Sequence, residues 1–352
     1  MKKFLSVICI LALCLSLCAC GKTEPVESKP EESISESVPE SVSESEPEES
    51  KTEKKTLALC IGSVSHPVHR VIQYGFIKTA NELGYEAKIF GLDDGSMMDL
   101  RAEWNTLLND RDIQGVAVWT GDDSCYDLLK TYRENGMHVV VPYFPHDYKK
   151  THEFIEFNPV GVNYTDGADG AASAKFMLQK LKERGITEGV IGITQTSAAA
   201  TDVTAVNGFV KAIDGSGFTV ADLIFQGPEI NEATYKGVKY LTDNPDMVAV
   251  FSAAGDGARA WTNAKKETGK DDLFVIAYVY EDPIDEITVD GFNVHPIYEA
   301  GVEAAKALAA LNEGKTYTEA EWNPPLPVNI VDKEGYAEYE ARYNEAQEYF
   351  AK

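Results

Sequence analysis

The side chains best suited to hold something small in this 352-residue chain are histidines and aromatics. His66-Pro67-Val68-His69 sets two imidazoles at i and i+3, a spacing that can share a metal ion. His146 and His295, converging on the same cleft, would complete a set of four. No cysteine or clustered carboxylate strengthens that set, and neutral imidazoles that both donate and accept hydrogen bonds fit the pattern better. Gly255-Asp256-Gly257-Ala258-Arg259-Ala260 matches G-x-G-x-x-G/A after a strand, with Glu281 suitably downstream for a dinucleotide ribose. It stands late in the chain with no catalytic set beside it, so a helix-opening turn next to a cleft is the better reading. A G-x-S-x-G elbow, a P-loop, H-E-x-x-H and a paired-carboxylate signature are all missing. No catalytic residue, no cofactor and no resident metal are therefore expected.

What must position such residues begins after a leader. Met1-Lys2-Lys3 precedes an apolar run from Phe4 to Leu17, a signal-peptide pattern too short to span a bilayer. Leu17-Cys18-Ala19-Cys20-Gly21 resembles a bacterial lipobox, which implies a leader over 1–19 and lipid on Cys20. The alternative is an ordinary signal peptide cut near Ala19. Residues 20–55 are mostly Glu, Ser, Pro and Lys, a composition that cannot bury enough surface to order itself. A disordered spacer is expected there. Cys60 lies inside the apolar run LALCIG and reads as a small buried hydrophobe. The formal net charge of −25 argues against nucleic acid or an anionic membrane face as partner for the body.

From Thr56 onward short apolar runs alternate with helical stretches. LALCIG (57–62), AKIF (87–90), GVAVW (115–119) and HVVVPYF (138–144) predict buried strands, with helices over 68–83, 98–109 and 126–135. Gly84 and Gly136 fall where helices should stop. After a polar and aromatic loop the rhythm repeats. Helices over 167–184, 202–213, 231–243 and 256–268 alternate with strands over 189–194, 218–225, 247–252 and 273–279. A strand over 291–296 then leads into a helix over 298–311. The expected fold class is α/β, with two Rossmann-like lobes of parallel sheet and a ligand cleft between them.

Several segments, taken in order, carry a family resemblance: GSVSHPVHRVIQYGFIKTANELGYE, VNYTDGADGAASAKFM, VFSAAGDGARAW, VHPIYEAGVEAAKAL and PVNIVDKEGYAEYEARY. Together they resemble the type I periplasmic-type solute-binding proteins of the ribose/galactose-binding group. The resemblance covers about 56–350. It implies an N-terminal lobe from 56–160 plus 296–324 and a C-terminal lobe from 161–295 plus 325–352. A three-segment hinge would lie near 145–162, 294–297 and 322–330. It also implies a monomer that closes on a small solute and docks to an ABC permease. A lipid on Cys20 would hold such a receptor on the outer face of a Gram-positive cell membrane.

Carried over position by position, the family's ligand residues fall on His66 and His69 in the first loop and on Tyr143 and Phe144 after the fourth strand. Further along they fall on Asp202, Asp256, Tyr280 and His295, and Trp119 and Glu232 complete the expected set. The aromatics are kept, but the Asp/Arg pairs that grip sugar hydroxyls are not. That change suits a polyol, a modified sugar or a nucleoside-like ligand. A receptor feeding a membrane sensor kinase is the alternative to transport, and metal binding a more distant one.

Overall fold

The computed structural model describes residues 55–352 apart from 95, 199, 228, 256, 280 and 281, with backbone only at 200 and 201. The leader, Cys20 and nearly all of the spacer lie outside the described residues, as do the expected ligand residues Asp256 and Tyr280.

The first series of elements runs β1 (Thr56–Cys60), α1 (Pro67–Glu82), β2 (Glu86–Phe90), α2 (Met97–Asn105), β3 (Ile113–Val118), α3 (Tyr126–Glu134), β4 (His138–Val140) and the short α4 (Tyr148–Thr151). The four strands are parallel in the order β2-β1-β3-β4. Every residue of β1 is buried, as a central strand covered on both faces must be. Its period-two alternation divides the core: Leu57 and Leu59 join Ile72 and Phe76 on one face. Ala58 and Cys60 join Trp104, Leu129 and Tyr132 on the other. Helix α1 ends as Gly84 predicts. Gly84 has φ 83°, its N–H donates to Asn81 O and that of Tyr85 to Ala80 O, which is a Schellman stop.

The second series runs α5 (Ala168–Glu183), β5 (Gly189–Gln195), α6 (Ala200–Ile213), β6 (Phe218–Val220), β7 (Ile224–Phe225), α7 (Ile230–Asp243), β8 (Met247–Ala253), α8 (Gly257–Thr268), β9 (Phe274–Val279) and β10 (Gly291–Val294). One strand was expected over 218–225, and two short ones form instead, both pairing with β5. The chain breaks step at Asp222, whose carbonyl accepts the Tyr240 hydroxyl at 2.6 Å. Val220 and Phe225 remain exposed, so little apolar burial holds a continuous edge there.

The chain then returns to the first lobe. Helix α9 (Ile297–Asn312) packs across α1. A Cβ on Gly301 would lie 2.2 Å from Ile72 O, and one on Gly75 2.5 Å from Tyr298 O. The two backbones approach through these glycines, which no other residue would permit. After α10 (Glu319–Trp322), whose buried Trp322 donates to Ile155 O at 2.7 Å, the chain crosses back. It adds β11 (Asn329–Val331) antiparallel to β10 and ends in α11 (Lys333–Phe350). The second sheet thus has the order β11-β10-β9-β8-β5-β6.

Helix α11 belongs to both lobes. Tyr336 stacks on Phe292 of the second core, with centroids 4.5 Å apart and planes at 8°. One end later, Gln347 Nε2 donates to Pro67 O at 2.9 Å, and Arg70 Nη1 donates to Gln347 Oε1 at 3.3 Å. Among the described residues no helix is long and apolar enough to cross a membrane.

Candidate functional site

Each sheet reverses its strand order once, between β1 and β3 and between β5 and β8. Loops at the carboxyl ends on either side of such a reversal diverge and leave a crevice. The loop after β1 carries His66 and His69, and Trp119 follows β3. From the other lobe, the loop after β5 leads to Asp202.

Between the lobes lies a cavity of about 310 Å³. The first lobe lines it with Val68, His69, Trp119, Tyr143 and Phe144, and the second with Asn163, Tyr164, Asp202 and Tyr278. His295 and Ile297 contribute from the crossing between the lobes. Trp119 and Tyr143 stack at 4.9 Å and 24°, and Phe144 meets Trp119 edge-on at 5.1 Å. Aromatic pairs in these arrangements gain beyond their buried area.

Tyr143 holds this cluster from an unusual backbone position, with φ 78°. A non-glycine residue there costs on the order of 1–3 kcal/mol and persists only where its surroundings impose it. They do so here. Tyr143 N donates to Pro159 O at 2.6 Å, and Gly161 N donates to Tyr143 O at 2.8 Å. The fully buried Asn158 clamps the same turn: its Nδ2 donates to Phe144 O at 2.8 Å and its Oδ1 accepts from His146 N at 3.0 Å. Gly161 leaves room for the ring, because a Cβ there would sit 2.8 Å from Tyr143 Cε2.

The polar floor is buried and connected. Tyr143 Oη and His295 Nδ1 form a hydrogen bond of 2.7 Å. The Tyr278 ring meets His295 in a T at 4.7 Å, and its hydroxyl donates to Asp169 Oδ2 at 2.6 Å. Burial lowers the His295 pKa to about 4, so the imidazole is neutral at pH 7. Burial raises the Asp169 pKa above the usual carboxylate range. His69 is also shifted down, chiefly by burial, with Nδ1 3.2 Å from Ser63 N and 3.0 Å from Ser63 O. Asp202 Oδ2 accepts the N–H groups of Thr196 at 3.2 Å and Ser197 at 3.4 Å, closing the loop after β5.

Of the ten expected ligand residues, His69, Trp119, Tyr143, Phe144, Asp202 and His295 line this one cavity. His66 is not part of the lining: its Nδ1 accepts from Val68 N at 3.2 Å to cap α1, and its ring lies 4.9 Å from that of His69, which is. Glu232 is outside the lining, exposed on α7 and paired with Lys236 at 2.6 Å. The four histidines are not gathered into one cluster. The ring nitrogens of His146 engage the Tyr126 hydroxyl and Thr120 O inside the first lobe. Among the described residues no group of three or more His, Cys, Asp or Glu is placed to hold a metal ion. Asn163, Tyr164 and Tyr278 were not picked out from sequence. The first two follow the hinge crossing in VNYTDG, and Tyr278 is the last residue but one of β9, so their positions at strand and crossing ends were the available signal.

Comparison with known proteins agrees with this architecture. A family model described as periplasmic binding proteins and sugar binding domain of LacI family matches residues 54–278, more than half of the chain. No curated protein matches the sequence. Among solved structures, the arabinose binding protein AraP from Geobacillus stearothermophilus aligns with TM-score 0.68 and 14% identity, over 81% of this chain and 99% of its own. A sugar-binding protein of a sugar ABC transporter from Bacillus halodurans gives 0.64 and 14%, over 81% and 99%. A solute binding protein from Agrobacterium vitis, bound with α-D-tagatopyranose, gives 0.62 and 16%, over 82% and 99%. These likenesses establish the shared type I fold. Through the family model, the chain is a member of the periplasmic binding proteins and sugar binding domain of LacI family.

Proposed function

We propose that this protein is a solute receptor that captures a small carbohydrate-like molecule, a sugar, polyol or modified sugar, by lobe closure and delivers it to an ABC importer. The observation that carries the reading is a cavity lined by both lobes, with the Trp119–Tyr143 stack on one side and Asp202 and Tyr278 on the other. A ligand touching both walls is held best when the lobes are closed, so it shifts the population toward that state. Aromatic faces suit the apolar face of a ring, and neutral His69, whose Nδ1 is taken by Ser63, has Nε2 to donate or accept toward a hydroxyl according to its tautomer. The same reading keeps His66, Asp256 and Tyr280 as ligand-binding residues and assigns no residue to catalysis. It places the receptor as a monomer on the outside of the membrane, held by lipid on Cys20 and the acidic spacer, within reach of its permease.

A thermal-shift screen of the full chain against sugars and polyols tests this, followed by solution scattering with any ligand found. A ligand at 100 times its Kd should add about 2.7 kcal/mol of stability and make the particle more compact. A shift without compaction would refute closure. A screen in which carbohydrates do nothing would refute the ligand class.

A further inference from the structure

We propose that the cleft selects its ligand by charge, preferring a carbohydrate-like ring that bears a protonated amine over its neutral analogue and refusing one that bears a carboxylate or phosphate. This rests on the receptor reading above and adds a chemical class to it. Among the described residues, the cavity lining includes no lysine or arginine, and Asp202 is its one carboxylate. The guanidinium groups on neighbouring elements are engaged elsewhere. Arg70 on α1 donates to Gln347, Arg259 on α8 pairs with Asp282 at 3.0 Å, and Arg342 pairs with Glu299 at 2.8 Å. Nor do the imidazoles supply a cation: His295 is enclosed between the Tyr143 hydroxyl and the Tyr278 ring.

An anion would have to lose its water among such groups without gaining a positive partner, which is costly. A helix N-terminus can substitute for a cation, but at α1 the Val68 N–H is already taken by His66 Nδ1, and α6 carries Asp202 in its own first turn. The carboxylate is already held there by Thr196 and Ser197 N–H. A cation meets the opposite situation. The half-buried Trp119, backed by Tyr143 and flanked by Phe144, presents the negative face of a π system. Asp202, offset only in part by the N–H groups that hold it, supplies the negative charge across the same space. The chain's net charge of −25 adds a field of the same sign.

The test uses the full chain and calorimetric titration with two ring series, glucose and galactose, each as the 2-amino sugar, the neutral sugar, the uronate and the 6-phosphate. The expected order is amine, then neutral, then the two acids, with gaps on the order of tenfold for a charge meeting one carboxylate in a partly enclosed site. Asp202→Asn should bring amine and neutral sugar to within about twofold. Should that variant not fold, raising the salt on the natural chain gives the same readout, because screening must narrow the gap. Tightest binding by a uronate or phosphate, or equal binding by amine and neutral sugar, would overturn the charge rule and leave the receptor reading standing. Silence from every member of both series would overturn the carbohydrate reading itself.

Discussion

Replacing His295 by glutamine should make the protein less sensitive to acid, by an amount that follows from the burial of one ring. His295 is 8% exposed and held against Tyr143 and Tyr278, and its pKa falls from 6.5 to about 4. The folded state therefore refuses a proton that the unfolded chain accepts. At pH 7 the folded state is unprotonated and only about a quarter of the unfolded chains carry the proton, so the effect is small. As pH falls below 6.5 the unfolded state takes up the proton first, and stability is lost until the folded pKa is reached near 4. Linkage over that window puts the loss between about pH 7 and about pH 4.5 at roughly 2 kcal/mol from this residue. Glutamine keeps a partner for the Tyr143 hydroxyl and has no proton to gain. Urea denaturation of both proteins at the two pH values measures the difference. The natural chain should lose about 2 kcal/mol more than His295→Gln. Parallel losses would mean that His295 is not held neutral by burial, and the account of the cleft floor would fail with it.

Gly161→Ala should abolish most ligand binding while leaving the circular dichroism spectrum intact, because its methyl would displace the Tyr143 ring from 2.8 Å away. Titration with whichever sugar the screen identifies reads the loss, and unchanged affinity would contradict the role given to the Trp119–Tyr143 stack. Asp169→Asn should raise stability at pH 7, since burial penalises the carboxylate while an amide keeps an oxygen for the Tyr278 hydroxyl. A thermal melt checks it, and a lower melting temperature would refute it. Gln347→Ala should loosen α11 from Pro67 and Arg70, and solution scattering without ligand should then show a broader distribution of lobe separations. An unchanged profile would remove α11 from any part in holding the lobes.

The lobes were legible in the sequence because the strands are buried on both faces, and continuous apolar runs such as LALCIG and GVAVW have few other uses. The aromatic half of the site was legible for a related reason: Trp119, Tyr143 and Phe144 stand where such runs end. The polar half was not. Tyr278 and Asn163 acquire their roles only through Asp169, His295 and the fold of the crossing, contacts between residues more than a hundred positions apart in the case of Tyr278 and Asp169. Glu232 was assigned to the cleft from sequence, but the structure pairs it with Lys236 one helical turn away, a local attraction that no pattern of strand ends reveals. The positive φ of Tyr143 was equally hidden, since it is imposed by Asn158 and the crossing segment rather than by its own residue type.

The return of α9 to the first lobe has a consequence for the order in which the molecule can be made. Leu57, Ile72 and Phe76 near the start of the described chain share a core with Ala304, Leu308 and Leu326 near its end. A nascent chain emerging from a ribosome or a translocation channel thus cannot finish its first lobe until almost the whole polypeptide has appeared. The second lobe's strands arrive in the interval, and one face of β1 must wait uncovered while they do. Such long-range closure slows folding.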